Sequence, residues 1–459
     1  MIDLQNINRN DWAQTRISIL GAGKSGIAAA NLGQYWGSEL FISDNNDSPE
    51  IMKNIGEYNH EVGGHSKKVL EADLIIISPG IPDNMPIIYK CREKNLPIVS
   101  EIEFASWFTT SPILALTGSN GKTTTVNLLH EMCITDGKTS LLGGNVGIPF
   151  SENVLWEITS KITESVHVLE LSSFQLEHIN SFSPTIAGIL NISEDHMDRY
   201  ENIDAYIAEK LKLAMQIKDS GWLVYNADDP ILSKSLMNIS RSLLFSLTQR
   251  QQCHFKLNES KVYSGQANNP DILFKLEDTK LKGFHNLQNI LAAATMAHSF
   301  GISRSAIKNT ITNFTPIAHR LEWVGNINNV NYFNDSKATN IAASRAAIES
   351  FENNLILILG GQDKGFTDFL QLSSAMRNRV KSIIAYGDAG PEIKKQLHAE
   401  FSLIHCEQFE KAIRQAYEQS RPGDTVLLSP ACASFDQFAN YEERGDTFTK
   451  IITKLELGI

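Results

Sequence analysis

An α/β fold of three domains, each built on a largely parallel sheet, is what this sequence predicts. A short apolar run, then a glycine-rich or polar turn, then a helix-spaced segment recurs along the chain. Two of the turns have phosphate-cradling form, GAGKSG at 21–26 and TGSNGKTTT at 117–125. At 459 residues the chain also exceeds one compact core. The expected domains are a Rossmann-like N-terminal domain over 1–109, a central P-loop domain with a parallel sheet over 110–315, and a Rossmann-like C-terminal domain over 316–459.

In the first domain, Arg16 to Leu20 read as a strand, and the GxGxxG turn opens a helix from Ile27 to about Trp36. A second strand, Leu40 to Ser43, ends at Asp44. Glycines with an acid about twenty residues on suit a dinucleotide, but the same geometry holds any phosphate or ribose. A strand over Leu74 to Ile77 runs into Ser78-Pro79-Gly80-Ile81, a loop at the sheet edge where ligands of such folds bind.

The central domain opens with the buried strand Ile113 to Leu116, and the loop Thr117-Gly118-Ser119-Asn120-Gly121 follows. Then come Lys122 and three threonines, with Val126, Leu129, Met132 and Cys133 at helical spacing. Loop N–H groups and the helix N-terminus suit an anion, the lysine its terminal phosphates, and the adjacent hydroxyl Mg²⁺. The loop is shorter than the common pattern, since Leu116 stands where its first glycine belongs. Gly143-Gly144-Asn145-Val146-Gly147 is a second backbone-exposing loop. Glu170 lies near the end of the strand Val166 to Leu171; it is either a structural acid or a holder of Mg²⁺, and the neighbouring phosphate loop favours the latter. Ile186 to Leu190 form a strand before Ser193-Glu194-Asp195-His196-Met197-Asp198-Arg199, read either as a capped helix start or as a turn carrying a His ligand. Lys210 falls on the apolar stripe Ile203, Tyr206, Ile207, Ala214, Ile217; it is either buried or snorkelling at the stripe's edge. Trp222 to Asn226 form a strand, Arg241 to Lys280 are polar and strand-like, and Asn286 and Asn289 sit one turn apart at the start of an Ala-rich helix.

The third domain places strands at Val330 to Phe333, Leu355 to Leu359, Ile383 to Tyr386 and Thr425 to Leu428. Each is followed by a polar cluster, which puts function along one sheet edge.

The net charge of −11 argues against nucleic acid and anionic membranes as partners. Five cysteines without a CxxC suit a reducing compartment and offer no zinc site. With no apolar leader and no run of membrane-span length, the expected location is cytoplasmic, and a monomer is expected.

The segments TGSNGKTTT, GGNVG, ELSSFQLE, NISEDHMDRY, the Lys210 helix, HNLQN, AHRLE, NDSKATN, GGQDKG and LSPACASFDQF run in order from Thr117 to Phe438. Together with the GxGxxG turn and SPGI they resemble the Mur ligase family over nearly the whole chain. ELSSFQLE, NDSKATN and SPACASFDQF point to its D-glutamate-adding branch. The resemblance implies an ATP-dependent ligase of peptidoglycan synthesis that extends UDP-N-acetylmuramoyl-L-alanine through an acyl phosphate. It implies ATP, two Mg²⁺ and CO₂, the last as a carbamate on Lys210, as cofactors. Gly118, Ser119, Asn120, Gly121, Lys122, Thr123, Thr124, Asn286, Asn289, Arg320 and Asp335 would bind ATP. Thr123, Glu170, His196 and Lys210 would hold metal, with Lys122, Glu170, His196 and Lys210 catalytic. Lys24, Ser25, Asp44, Asn45, Gly80, Asn145, Gln175 and His196 would meet the UDP-linked substrate. Thr339, Lys364, Ser434 and Tyr441 would receive D-glutamate. Asn46 and Tyr441 depart from residues that some relatives carry at the uracil and glutamate sites.

Two rival readings use less of the chain. A nicotinamide-dependent oxidoreductase would use Gly21 to Gly26 with Asp44 and leave the phosphate loop idle. A nucleotide switch would use Gly118 to Thr123 and leave Lys210 and the third-domain clusters unexplained.

Overall fold

The computed structural model describes residues 12–193, 199–248, 253, 255–258, 261–264, 271–281, 284–315, 318–363 and 367–457. They hold three sheets in two compact units, the first two sheets sharing one unit and the third lying in the other.

The first sheet is wholly parallel, in the order His60–Val62, Glu39–Asp44, Arg16–Leu20, Leu74–Ile77, Ile98–Ser100. The chain leaves Arg16–Leu20 toward one edge and later returns to its other side at Leu74–Ile77. The glycine turn and the SPGI loop therefore meet at the crevice where strand order reverses. The helix opens at Lys24 and runs to Tyr35, three residues earlier than the apolar spacing implied. Lys24 and Ser25 thus belong to its first turn. Gly21 has φ +94°, and a Cβ there would lie 2.8 Å from Ser78.

The second sheet has nine strands and is parallel from Thr139–Gly144 across to Phe255–Asn258. Ile113–Thr117 lies between Ser165–Glu170 and Ile186–Ile189, and all three strands are buried throughout. This burial on both faces explains their unbroken apolar runs. Lys261–Ser264 and Asp271–Lys275 add an antiparallel end.

The third sheet runs Glu322–Ile327, Val330–Asn334, Thr425–Ala431, Leu355–Gly360, Val380–Tyr386, Leu403–Cys406. It is parallel except for the first pair, which forms an antiparallel hairpin. Its core packs Leu357, Leu359, Ile383 and Leu427 on one face and Ile356, Ile358, Ile384 and Leu428 on the other, as strand alternation requires.

Candidate active site

The phosphate loop leaves Ile113–Thr117 and enters the helix Lys122–Thr135 through two residues with positive φ, Gly118 at +153° and Gly121 at +86°. A Cβ on Gly121 would collide with Asn289 Oδ1, so the asparagine packs directly against the loop. Asn191, just beyond Ile186–Ile189, clamps the loop from below. Its carbonyl accepts from the Ser119 N–H at 2.9 Å, and its side chain exchanges hydrogen bonds with the Asn120 main chain at 2.8 and 3.0 Å. Thr123 and Thr124 are buried in the first helical turn, where backbone donors and the helix dipole favour an anion.

Two lysines converge on this loop. Lys122 Nζ donates to the Gly118 and Ser119 carbonyls at 2.8 and 2.9 Å, and Lys210 Nζ donates to the Gly118 carbonyl at 2.9 Å. Lys210 is 2 % exposed, so it is buried and does not snorkel. Its ammonium lies 4.6 Å from the ring centroid of Tyr206, one turn earlier on the helix Ile203–Met215. The Tyr206 hydroxyl is 3.0 Å from Ser119 Oγ.

Glu170 ends Ser165–Glu170 next to the loop-bearing strand. Its Oε1 accepts from Asn145 Nδ2 at 2.8 Å, and its carbonyl accepts from the Asn145 N–H at 2.8 Å. Its Oε2 is buried without a partner. An orphaned carboxylate oxygen at the end of the strand next to the one that opens the phosphate loop fits a hard divalent cation, with phosphate oxygens completing its shell. Among the described residues no three His, Cys, Asp or Glu side chains make a metal cluster by themselves. His196 and Lys364 lie outside the described residues.

In the first sheet, Asp44 spends its carboxylate on the chain itself: it accepts from the Ala22 N–H at 2.6 Å and the Asn46 N–H at 2.8 Å. It thereby closes the glycine turn. Lys24, Asn45 and Gly80 are exposed and Ser25 is half-buried at the same edge. Gln175 is buried, and its Oε1 accepts from the Ser172 N–H at 3.1 Å in a capping box.

In the second unit, Asp335 is buried at the end of Val330–Asn334. Burial pushes its carboxyl up to about 7, against the Ser429 hydroxyl, the Arg320 charge and the Leu321 N–H. Thr339 and Tyr441 are half-buried and Ser434 is buried. A fully buried guanidinium, Arg444, ties their loops together. It donates to Ser336 Oγ, to the Ser336, Cys432 and Ala433 carbonyls and to the Tyr386 hydroxyl. Ser336 Oγ in turn donates to the Tyr441 carbonyl at 2.8 Å. Sequence reading missed Arg444, Asn191 and Tyr206; only Tyr206 left a local clue, four residues before Lys210 on one stripe.

Three family models match the chain: "Mur ligase MurD-like, N-terminal domain" over residues 15–100, "Mur ligase middle domain" over 116–297, and "Mur ligase, glutamate ligase domain" over 319–432. A protein of Christiangramia forsetii named UDP-N-acetylmuramoylalanine–D-glutamate ligase is 39% identical over 459 residues, covering 96% of this chain and 99% of the relative. One of the same name from Koribacter versatilis is 35% identical over 447 residues, covering 96% and 97%. Among solved structures, a pseudomurein peptide ligase type C from Methanothermus fervidus matches with TM-score 0.63 and 18% identity over 96% of this chain and all of its own. A UDP-N-acetylmuramate–alanine ligase from Thermotoga maritima matches with TM-score 0.59 and 18% identity over the same shares. These two likenesses speak for the fold.

Proposed function

The chain belongs to the Mur ligase family, and from that premise we propose that it joins D-glutamate to UDP-N-acetylmuramoyl-L-alanine, converting ATP to ADP and phosphate. The observation that carries this reading is the meeting of Lys122 and Lys210 on the Gly118 carbonyl, with Glu170, one carboxylate oxygen unpartnered, ending the strand beside the one that leads into that loop. Such a site serves phosphoryl transfer rather than a nucleophilic side chain. The substrate carboxylate attacks the γ-phosphate and ADP leaves. The amine of D-glutamate attacks the acyl phosphate, and the tetrahedral intermediate expels phosphate.

Each residue has a task in that sequence. Lys122 leaves its two carbonyls to meet the γ-phosphate, and the 118–124 loop and helix start hold the phosphate chain. Asn286, Asn289, Arg320 and Asp335 take the adenosine end. Thr123, Glu170, His196 and Lys210 would hold two Mg²⁺, which when bound neutralise charge on the transferred phosphoryl group. Lys210 takes this part as a carbamate: its neutral amine adds to CO₂ and releases one proton, turning a buried cation into an anionic oxygen ligand. Lys24, Ser25, Asp44, Asn45, Gly80, Asn145 and Gln175 bind the UDP-linked substrate. Thr339, Lys364, Ser434 and Tyr441 bind D-glutamate. The functional domains are 1–109, 110–315 and 316–459. The enzyme works as a cytoplasmic monomer in cell-wall synthesis, and among the described residues no helix is long and apolar enough to cross a membrane.

An amino-acid screen tests the reading. With ATP and the UDP-linked substrate present, phosphate release should require D-glutamate and no other amino acid should replace it. Release without any amino acid would favour a nucleotide switch, and saturable NAD binding would favour the oxidoreductase.

A further inference from the structure

We infer that Arg199 is a positioning residue for the UDP-linked substrate, a strut from the central domain that fixes the Ser78–Ile81 loop of the first domain; this rests on the proposed reading of that loop as part of the UDP-substrate site. Arg199 follows the SEDHMD segment directly and has no assigned role in the proposed chemistry. Its guanidinium crosses to the first sheet, where Nη1 donates to the Pro79 carbonyl at 2.6 Å and Nη2 to the Ile81 carbonyl at 3.0 Å. On its other side Nη2 meets Glu177 Oε2 at 2.6 Å, and the guanidinium carbon lies 4.1 Å from the Phe174 ring centroid. Glu177 is held in turn by the Tyr200 hydroxyl at 2.7 Å, and Tyr200 stacks on Phe174. With a side chain 14% exposed, Arg199 is shielded on all these sides.

Among the described residues, the other hydrogen bonds that hold this loop centre on Ser78, while the Ile81 side chain packs against the core around Leu20, Ile77 and Ile87. Ser78 Oγ donates to the Gly21 carbonyl at 3.1 Å, and the Ile81 N–H closes a turn onto the Ser78 carbonyl at 3.0 Å. Gly80 stands exposed at the tip with open space where a Cβ would lie. Two carbonyls of one turn and a carboxylate opposite form a pattern that a planar fork satisfies and an ammonium does not. With the fork in place the loop is set before the substrate arrives. Without it, binding must also order the loop, and the added cost falls on one substrate.

Steady-state kinetics and calorimetric titration of the UDP-linked substrate in the absence of ATP test this on the full-length enzyme. Arg199→Met should raise the KM and the dissociation constant for the UDP-linked substrate about tenfold or more, as loss of charged hydrogen bonds does. The KM values for ATP and D-glutamate should stay within about twofold. Arg199→Lys should remain impaired, because it cannot span both carbonyls. Should Arg199→Met fail to fold, Glu177→Gln leaves the arginine but loosens its anchor, and should raise the same KM by about threefold. Unchanged affinity in a folded Arg199→Met, or equal changes in all three KM values, overturns the inference. Failure of the wild-type protein to bind the UDP-linked substrate would instead overturn the reading beneath it.

Discussion

Lys210 was legible as an anomaly, an ammonium on an apolar stripe, but its partner was not. The Gly118 carbonyl lies 92 residues away and is reached only through the fold. Lys210→Arg should be inactive, since guanidinium keeps its charge and cannot become a carbamate. Lys210→Ala should also lose activity and regain part of it with acetate, which can occupy the vacated oxygen position. A near wild-type rate for the arginine variant would sink the carbamate. Asp335 offers a second test at this scale. Its native pKa of about 7 stands above the ordinary 3.8 because the carboxyl is buried. Between those values the unfolded chain has lost the proton that the native state keeps. Stability from this group therefore falls as pH rises through that window, by at most about 1.4 kcal/mol per unit. Asp335→Asn should remove the slope: unfolding midpoints should match wild type near pH 4 and exceed it at pH 8. Ser429 can turn to accept from the new amide, because it already sits 3.1 Å from Ser344 Oγ. If the variant tracks the wild-type curve across that range, the carboxyl titrates normally.

The elements the sequence revealed are those whose environment leaves a one-dimensional trace. Ile113–Thr117 and Leu355–Gly360 are buried residue by residue and read as apolar runs. Leu403–Cys406 and Glu322–Ile327 were missed because both are edge strands, half-exposed, with no run or clean alternation. His60–Val62, half-buried throughout, escaped for the same reason. The phosphate loop was found because strand, turn and helix are contiguous, and its glycines carry geometry as well as spacing. Gly121 caps the helix with φ +86° and faces Asn289. Gly121→Ala should therefore cost about 1–3 kcal/mol in backbone strain and push Asn289 away. The expected result is a lowered thermal midpoint and a KM for ATP raised far more than that for D-glutamate. Equal effects on both would mean that the cap only supports the fold.

Across the molecule, the largest gap between reading and structure lies in how separate segments are joined. Spacing marks a boundary near Thr109 but not the contacts that join the segments on its two sides, which lie in one compact unit. Glu103 shows the physical cause. It is fully buried on the helix Glu101–Ser106 of the first domain and reaches the 180–182 loop of the central one. Three successive N–H groups, from Asn180, Ser181 and Phe182, donate to it at 2.8 Å each. The Trp107 indole adds a fourth bond at 2.9 Å, and the Ser181 hydroxyl a fifth. This is an anion nest occupied by the protein's own side chain, and no local pattern announces it, since the three backbone donors stand 77 to 79 residues away. Glu103→Gln keeps the shape but turns an NH₂ toward N–H donors, leaving buried groups unpaired. The substitution should cost about 2–4 kcal/mol. Calorimetry should show the transition moving to lower temperature. Hydrogen exchange at residues 180–182 should accelerate, while exchange in the third sheet stays as it was. An unchanged midpoint with unchanged protection at 180–182 would mean that apolar packing around Phe104 and Trp107 holds the two segments together without the carboxylate.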